Sequence, residues 1–532
     1  MEKRIIIASI LSVILILAWG YFMPRPEHTG IAVKKPVSVH SRVAPAEALG
    51  RSNMRGKAKK AQAKGLTVKK FAPSKSKKLI AVSKSIKSIK NVSYTGSKIY
   101  ARFNMPNGAI SRLNLLNYSY SEKNLENKVN LANSKNIAQI INFIPSNIKS
   151  SVELVNIKKG RDSIKFIYSL GKKIILVKSY KFLNGKYLLT NDISINNLTD
   201  KPIVFKGYYI LSAALKPASE NSDYINFSPV IYINKSSVTP SAIQTTKYKG
   251  DISFAGFDSK YFMLSALSPG DTVSVKKNGK IISLIIPKRV LISPKKTTNL
   301  SLKVYGGPKK LSLLTPLGHN LNSTLNFGFF GFFSIILLHI LEFFYVFVHN
   351  YGLAIILLVL AIRIVFYPLT YTGFKSMKQM QKLTPKINEL REKYKDNKAE
   401  LNKKIMELYK ESRVNPFGGC LPMLLQIPVF YGLYMTLLIS IQLRNAPFVL
   451  WIQNLSIQDP YYILPVLMGL TMLISQKMNP VIGDPTQAKL MLVLPVVFTF
   501  IFIHFPAGLL LYWTFNNVLT IAQQYIINRK FA

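Results

Sequence analysis

The C-terminal part of the chain alternates long apolar runs with short polar segments. Five of these runs are candidates for membrane-spanning helices, because about 20 apolar residues are needed to cross the hydrocarbon core. They cover approximately residues 351–371, 419–441, 461–477, 490–505 and 507–527. The third and fourth runs are short, and only a tight FPAG turn separates the fourth from the fifth. We therefore expect a thin or tilted bundle.

A further apolar run, residues 5–22, follows the basic N-terminal sequence MEKR. Such a segment is either a cleaved signal peptide or a helix that stays in the membrane. Trp19, Gly20 and Tyr21 occupy the place where small residues would mark a cleavage site. We predict an uncleaved signal anchor over residues 1–23, with the N-terminus in the cytoplasm.

With this anchor and five further spans, six in all, the C-terminus also lies in the cytoplasm. The short loops agree with this orientation, because lysine and arginine are enriched on the cytoplasmic side. Lys477 and Lys489 flank one predicted cytoplasmic turn, and Arg529 follows the last span. The predicted outer loop, residues 442–460, carries Arg444 alone among basic residues.

Residues 24–90 are rich in lysine, alanine, proline and serine and offer little to bury. This composition indicates a basic disordered linker on the outer side of the membrane. A nucleic-acid-binding arm is the alternative, since lysine runs bind polyanions. Residues 44–66 lack interleaved aromatic residues, which argues against that alternative.

Residues 91–318 change to short segments rich in β-branched and aromatic residues, such as KKIILVKSY at 172–180. Turn signals separate them, including Asn184-Gly185, Pro269-Gly270 and Asn278-Gly279. Many short strands with hairpin turns are typical of an antiparallel β-sandwich. The predicted fold class is therefore a multi-domain membrane protein, with an α-helical transmembrane bundle and an antiparallel β-sandwich on the outer side of the membrane.

Residues 332–348 form another apolar run, but His339, Glu342 and, just beyond it, His349 fall on one narrow stripe of a helix. A polar stripe favours an amphipathic helix in the membrane interface over one that crosses the membrane. A spanning helix is the alternative, and it would invert the orientation of everything that follows.

Between the first and second spans, residues 374–415 are polar and show apolar positions at helical spacing. Asp396-Asn397 supplies a break in this pattern. We predict a cytoplasmic antiparallel helical hairpin with a net positive charge. It serves either as a solvated topology determinant or as a docking element for headgroups, ribosomes or nascent chains.

The formal net charge of +48 would suit a nucleic-acid-binding protein, but the mean hydropathy of +0.18 and the apolar runs indicate a membrane protein. One cysteine, Cys420, excludes a disulfide framework within the chain. The six histidines are scattered without zinc-site spacing. We therefore predict no metal, no cofactor, no specific nucleic acid and no catalytic residue, that is, a protein that is not an enzyme.

Within the first of the five spans, residues 358–367 read LVLAIRIVFY and place Arg363 among apolar neighbours. Insertion scales give a free-energy cost of about 2.5–3.5 kcal/mol for placing an arginine at the centre of a membrane-spanning helix. Arg363 therefore needs a polar or hydrated environment. Snorkelling to the cytoplasmic surface is one solution. We favour a groove, because the other spans carry unusual polar residues. The predicted groove consists of Arg363, Gln426, Asn516, Asn517 and Gln523.

Several stretches of the chain closely resemble the bacterial YidC membrane-protein insertase family, part of the YidC/Oxa/Alb group. The specific ones lie beyond residue 350: NYGLAIILLVLAIRIVFYPLT (350–370), VNPFGGCLPMLLQIPVFYGLY (414–434), LRNAPFVLWIQNLSIQDPYYILP (443–465), DPTQAKLMLVLPVVFTF (484–500) and FPAGLLLYWTFNNVLTIAQQ (505–524). GFDSKYFM (256–263) and YGGPKKLSLL (305–314) are weaker matches to its periplasmic domain.

The resemblance implies a β-supersandwich periplasmic domain and a five-helix core around a hydrophilic groove that contains Arg363. It implies that residues 374–415 first engage the substrate. A lipid-facing slide along which a new helix leaves is implied at Ile427, Phe430, Ile501, Tyr512 and Trp513.

The implied function is insertion and folding of nascent inner-membrane proteins, alone or with the Sec translocon. Further implied partners are the ribosome or the signal-recognition particle and its receptor, and membrane lipids. A secondary transporter or channel for an anionic solute is the first alternative, but internal repeats are not visible in the sequence. A membrane-anchored enzyme acting on sugars is the second, and it lacks a recognisable acid–base pair.

Overall fold

A computed structural model describes the chain over residues 92–120, 125–132, 137–146, 152–214, 226–240, 245–395, 397–412, 414, 421–478 and 485–531. The predicted anchor (1–23) and linker (24–90) lie outside the described residues.

The N-terminal part of the described chain forms two antiparallel sheets. The first has the order β1-β2-β3-β5-β10-β17-β16-β13, with β4 paired to β3, and the second has the order β12-β11-β14-β15-β18-β9-β8-β7-β6. The strands are β1 Val92–Thr95, β2 Ile99–Asn104, β3 Ala109–Ser119, β4 Lys128–Asn130, β5 Ile141–Pro145, β6 Val152–Lys159, β7 Ser163–Leu170, β8 Ile174–Phe182, β9 Leu188–Asn197, β10 Ile203–Ala214, β11 Ser228–Ile233, β12 Ser236–Val238, β13 Thr246–Lys249, β14 Ile252–Asp258, β15 Phe262–Leu267, β16 Thr272–Asn278, β17 Ile281–Ile292 and β18 Thr297–Pro308.

Alternating burial along the strands produces the core between the sheets. In β7, Ile164, Phe166 and Tyr168 point inward, whereas the residues between them are partly or fully exposed. Phe166 packs near Phe103 and Tyr180, with ring centroids 5.3 and 6.3 Å away. Period-two alternation places every second side chain on one face of a sheet. The predicted antiparallel sandwich is therefore confirmed.

The hairpin turns follow the sequence signals. Gly185 lies between β8 and β9 with φ 71°, and Gly279 lies between β16 and β17 with φ 59°. Both values fall in the left-handed region, which glycine adopts without a Cβ penalty. The Asn-Gly pairs thus mark the turns as expected.

A buried ion pair joins the two stretches that resemble the periplasmic domain of the family. Lys309 Nζ lies 2.9 Å from Asp258 Oδ1 and donates to the Ser259 carbonyl at 3.0 Å. Both charged side chains are buried. Removing one partner of such a pair would leave an uncompensated charge. The pair therefore fixes the end of β14 against the end of β18.

The C-terminal part is helical. After the short helix α1 (Leu311–Leu314), it contains α2 Gly331–Val348, α3 Tyr351–Lys382, α4 Thr384–Lys393, α5 Lys398–Glu411, α6 Leu421–Ile439, α7 Ile463–Met478, α8 Pro485–Phe502 and α9 Ala507–Phe531. The predicted helical C-terminal region is confirmed. Helix α3 runs 11 residues beyond the predicted end of its span at 371. It therefore supplies the first arm of the polar hairpin itself.

Two asparagine residues cap the N-termini of helices whose first residue the pattern of apolar positions does not locate. Asn350 accepts hydrogen bonds from the backbone N–H of Gly352 and Leu353, at 2.9 and 3.1 Å, and so caps α3. Asn397 accepts from the N–H of Glu400 at 3.1 Å and caps α5, at the predicted break in the hairpin. Asparagine is among the preferred N-cap residues.

By length and composition, two of the described helices could cross a membrane, α2 and α3. Shorter apolar helical stretches occur at Gln426–Ile439, Ile463–Met478 and Met491–Phe502. The count of six spans therefore stays a prediction. The interfacial position of α2 also stays a prediction, since α2 is long and apolar enough for either arrangement.

Candidate functional site

Arg363 lies on α3 and binds one face of α9. Its Nε donates to Asn516 Oδ1 at 3.1 Å, and its Nη2 donates to the same oxygen at 2.8 Å. Nη2 also donates to the Asn516 carbonyl at 3.1 Å and to Thr520 Oγ1. Thr520 in turn donates to the Asn516 carbonyl at 2.7 Å. Two turns of α9 thus hold the guanidinium.

The partners of Arg363 are neutral. Within the part of the chain that the structure describes, no ion pair involves Arg363. The side chain is only half-buried, so its charge is neither neutralised by a carboxylate nor fully removed from solvent. A positive group held in this way retains attraction for anions and for electronegative oxygens. The site can therefore bind an incoming polar or acidic group.

Two neighbouring depressions extend from Arg363 between α3, α6 and α9, and together they form what we call the groove. The first is lined by Ile362, Arg363, Phe366, Leu369, Thr370 and Gln426. The second is larger and is lined by Gln426, Ile427, Phe430, Tyr512, Trp513 and Asn516. Gln426 lies at the junction of the two.

The second depression is mainly aromatic and apolar. The rings of Phe430 and Trp513 meet edge to face with centroids 5.0 Å apart, and Phe502 lies 4.7 Å from Trp513. Ile427 is 50% exposed at its rim. An apolar surface next to a cation can contact both the apolar and the polar part of an amphipathic segment.

The structure brings together most of the residues that the sequence singled out. Three predicted groove residues, Arg363, Gln426 and Asn516, line the two depressions. Four predicted slide residues line the second depression, namely Ile427, Phe430, Tyr512 and Trp513. The polar and the apolar set therefore form one continuous surface.

Three predicted site residues lie elsewhere. Asn517 is turned towards α7, where its Nδ2 donates to Thr471 Oγ1 at 3.2 Å, because successive helical residues are about 100° apart. Gln523 is buried on α9, and its Nε2 has no hydrogen-bond partner among the described residues. Ile501 is half-buried on α8 and lines neither depression.

Thr520 is a contact of Arg363 that the sequence analysis did not single out. It is the third residue after Asn517 and the fourth after Asn516, so helical spacing places it one turn beyond Asn516 on the same face. Trp513, Asn516, Thr520 and Gln523 share this spacing. A search for polar residues at i+4 from Asn516 would have found it.

Over the described residues, no group of three or more His, Cys, Asp or Glu could hold a metal ion. The groove presents amide, hydroxyl, guanidinium and aromatic groups, which suit binding of a chain segment.

Comparison with known proteins identifies the family of this chain. The family model described as 60Kd inner membrane protein matches residues 343–532, and that described as YidC periplasmic domain matches residues 92–340. A membrane protein insertase YidC of Geobacter metallireducens is 35% identical over 100% of this chain and 99% of its own length. One of Syntrophus aciditrophicus is 43% identical over 72% of each chain.

Solved structures give weaker likenesses. A crystal structure described as an active YidC insertase with its first transmembrane domain resolved is 17% identical, with a TM-score of 0.38, over 82% of this chain and 93% of that one. A galactose mutarotase related enzyme from Lactobacillus acidophilus is 11% identical, with a TM-score of 0.31, over 41% of this chain and 97% of its own.

Both halves of the described chain are thus matched by models of one family, and a relative of more than 30% identity is aligned along the whole length. These matches support an inner-membrane location, insertase function and nascent membrane proteins as substrates. The chain belongs to the YidC family of membrane protein insertases.

Proposed function

We propose that the groove is hydrated, opens to the cytoplasm, and receives the polar flank of a nascent membrane segment during insertion. The observation that carries the proposal is the setting of Arg363: a charge inside an apolar helix, held by Asn516 and Thr520 and bordered by an aromatic surface. This combination fits a substrate that is partly polar and partly apolar.

The energetic role of Arg363 is to lower the cost of bringing polar groups to membrane depth. In bare hydrocarbon each unsatisfied polar group costs several kcal/mol. A pre-oriented guanidinium and the Gln426 amide offer replacement hydrogen bonds within the groove. The apolar part of the segment then moves over Ile427 and Phe430 into lipid, and burial of apolar surface supplies the driving force.

The short apolar stretches of α7 and α8 support a second contribution. A helix that is shorter than the hydrocarbon thickness can be accommodated by local thinning of the bilayer. Thinning beside the groove would shorten the path of the incoming segment. No bond is made or broken in this process, so we propose a non-enzymatic function that needs no nucleotide.

The proposed arrangement places both termini and the α3–α5 hairpin in the cytoplasm and the sandwich in the periplasm. The hairpin is rich in lysine, which suits first contact with a ribosome, the signal-recognition particle or its receptor, or anionic lipid. We also propose that insertion occurs either alone or together with the Sec translocon.

Reconstituted insertion of a small single-span client into liposomes tests the proposal. Wild type is compared with Arg363→Ala and Arg363→Lys at equal incorporation, with Arg289→Ala, an exposed arginine of β17, as the matched control. We expect alanine to abolish insertion, lysine to restore part of it, and the control to behave as wild type. Equal insertion by all four proteins would refute a role for the groove charge.

A further inference from the structure

Arg444, the lone basic residue of the predicted outer loop, binds the sandwich domain. Its Nη2 donates to the carbonyl of Ser119 at 2.5 Å and to that of Tyr120 at 3.3 Å, at the end of β3. Its guanidinium also lies 5.4 Å from the ring centroid of Phe262 on β15. One side chain thus joins the loop to both sheets of the sandwich.

Other contacts also join the sandwich to the helical part of the chain. Glu342 of α2 accepts from Gln442 Nε2 at 2.7 Å and pairs with Lys310 at 3.4 Å, just after β18. The sandwich core also continues into the helical part.

The apolar residues that extend this core come from the segment before α2, from α2 itself and from the residue that precedes the outer loop. They include Leu325, Phe327, Leu338 and Ile441. Because polar and apolar contacts coincide, the sandwich and the loop share a packed interface.

The same loop holds the starts of three helices. The Phe448 carbonyl accepts from Asn350 Nδ2 at 3.0 Å, next to the cap of α3. The Leu455 carbonyl accepts from the backbone N–H of Gly508 at 2.9 Å, at the start of α9. Asp459 Oδ2 accepts from the N–H of Leu464 at 2.7 Å, in the first turn of α7. The outer loop is therefore the common junction of α3, α7, α9 and the sandwich.

We propose that the sandwich stabilises the outer loop through Arg444 and thereby keeps the outer ends of α3, α7 and α9 closed against one another. The carbonyls that Arg444 binds belong to the end of a paired strand, so they are fixed in position. A cation bound to two fixed carbonyls and an aromatic ring resists separation of loop and sheet. This gives the sandwich a structural role that does not depend on how the groove binds its client.

The rate of thiol labelling from the outer side tests the proposal. The full-length protein, with Cys420→Ser to remove the native thiol, carries either Ala446→Cys in the loop or Ala507→Cys at the start of α9. Both alanines are buried, at 9% and 1% exposure. A membrane-impermeant maleimide then reports how often each position opens to solvent.

Arg444→Ala is expected to raise the labelling rate at both positions about tenfold, because the loss of a charged hydrogen-bond donor makes opening more favourable by about that factor. Arg444→Lys should give an intermediate rate, because lysine keeps the charge without the forked donor geometry. The exposed Lys249→Ala on β13 is the control and should change neither rate.

Two results would overturn the proposal. The first is an unchanged rate at Ala507→Cys in the Arg444→Ala protein, which would mean that Arg444 orders only its own neighbourhood. The second comes from Ala101→Cys, placed in the sandwich core where Ala101 is fully buried. If its labelling accelerates as much as that of Ala507→Cys, Arg444 supports the fold of the sandwich and not the closure of the helix ends.

Discussion

At the residue scale, the position of Arg363 depends on two α9 side chains that carry no charge. Asn516 supplies an amide oxygen and a backbone carbonyl, and Thr520 supplies a hydroxyl that also binds that carbonyl. A guanidinium has five donors in a rigid fork, so it can use several acceptors at once. The geometry of the proposed client-binding charge is therefore a property of α9 as much as of α3.

Substitution of Thr520 tests this dependence. Thr520→Val keeps the shape but removes the acceptor, so a half-buried donor of Arg363 loses a partner, at a cost of about 1–3 kcal/mol. We expect client insertion into liposomes to fall several-fold and Thr520→Ser to restore it. Val518→Ala, an exposed position of α9, is the control. Wild-type insertion by Thr520→Val would show that Asn516 alone is sufficient.

A second residue-scale prediction concerns Lys178, which is buried between the two sheets. Its Nζ donates to the Asn107 carbonyl and to Asn142 Oδ1, each at 2.9 Å, and no carboxylate is among these partners. Burial lowers the pKa of Lys178 from 10.5 to about 7. At pH values between these two pKa values, Lys178 is protonated in the unfolded state and neutral in the folded state. The stability of the sandwich should therefore rise with pH in this range.

The expected slope is about 1.4 kcal/mol per pH unit from pH 7 towards pH 10. Hydrogen–deuterium exchange at β8 in the full-length protein, corrected for the intrinsic rate, measures it. Lys178→Met should remove this contribution to the slope, whereas Lys249→Met at an exposed position should keep it. An unchanged slope in Lys178→Met would assign the pH dependence to another group.

At the element scale, the start of α7 rests on one buried carboxylate. Asp459 is fully buried and accepts from the backbone N–H of Tyr461 and Leu464 and from Trp451 Nε1, at 3.1, 2.7 and 3.0 Å. The first N–H groups of a helix have no partner within the helix. This carboxylate satisfies one of them and fixes the loop on which the outer junction depends.

Asp459→Ala should therefore lower the stability of the helical part by about 2 kcal/mol, since several hydrogen bonds are lost together. Thermal unfolding in detergent, followed by the fluorescence of Trp451 and the other tryptophans, would show a lower Tm. The Tm of Asp459→Asn should lie between that of the wild type and that of Asp459→Ala. Gln453→Ala, at an exposed position of the same loop, should leave Tm unchanged.

The contact between α7 and α8 depends on the absence of a side chain at Gly469. A Cβ at this position would lie 2.1 Å from Thr499 Oγ1. Small residues let helices approach closely within membranes. Gly469→Ala should therefore displace α8 and lower Tm, and the additional change Thr499→Ala should restore it. If the double variant is no more stable than Gly469→Ala, the clash lies with the backbone.

At the scale of the whole molecule, the position of α2 decides the orientation of the rest. If α2 lies in the interface, α3 starts on the sandwich side and the hairpin emerges on the opposite side. If α2 spans the membrane, sandwich and hairpin share one side. The contacts of Glu342 with both Lys310 and Gln442 support the first arrangement, because they tie α2 to the sandwich and the outer loop.

Side-specific labelling distinguishes the two arrangements. In the Cys420→Ser background, Lys249→Cys marks the sandwich and Lys393→Cys marks the hairpin, both at exposed positions. When an impermeant maleimide is added to intact spheroplasts, we expect labelling of Lys249→Cys only. Labelling of both positions would mean that α2 crosses the membrane.

The sequence by itself determined the classes of structure. Period-two alternation with Asn-Gly turns specified the antiparallel sheets, and helical apolar runs specified the C-terminal helices, because both patterns depend on local geometry. A charge at Arg363 within an apolar run required a polar neighbourhood, and the polar residues available to provide it could be read from the other runs. These inferences need no knowledge of which helices are neighbours.

The tertiary structure decided which candidates meet. Asn516 and Asn517 are adjacent in sequence, yet the rotation of α9 turns one to Arg363 and the other to Thr471. The partner of Arg444 lies more than 300 residues away, so no local pattern could reveal it. Side-chain direction on a packed helix and contacts between distant segments are set by the packing of whole elements. Only the folded chain contains that information.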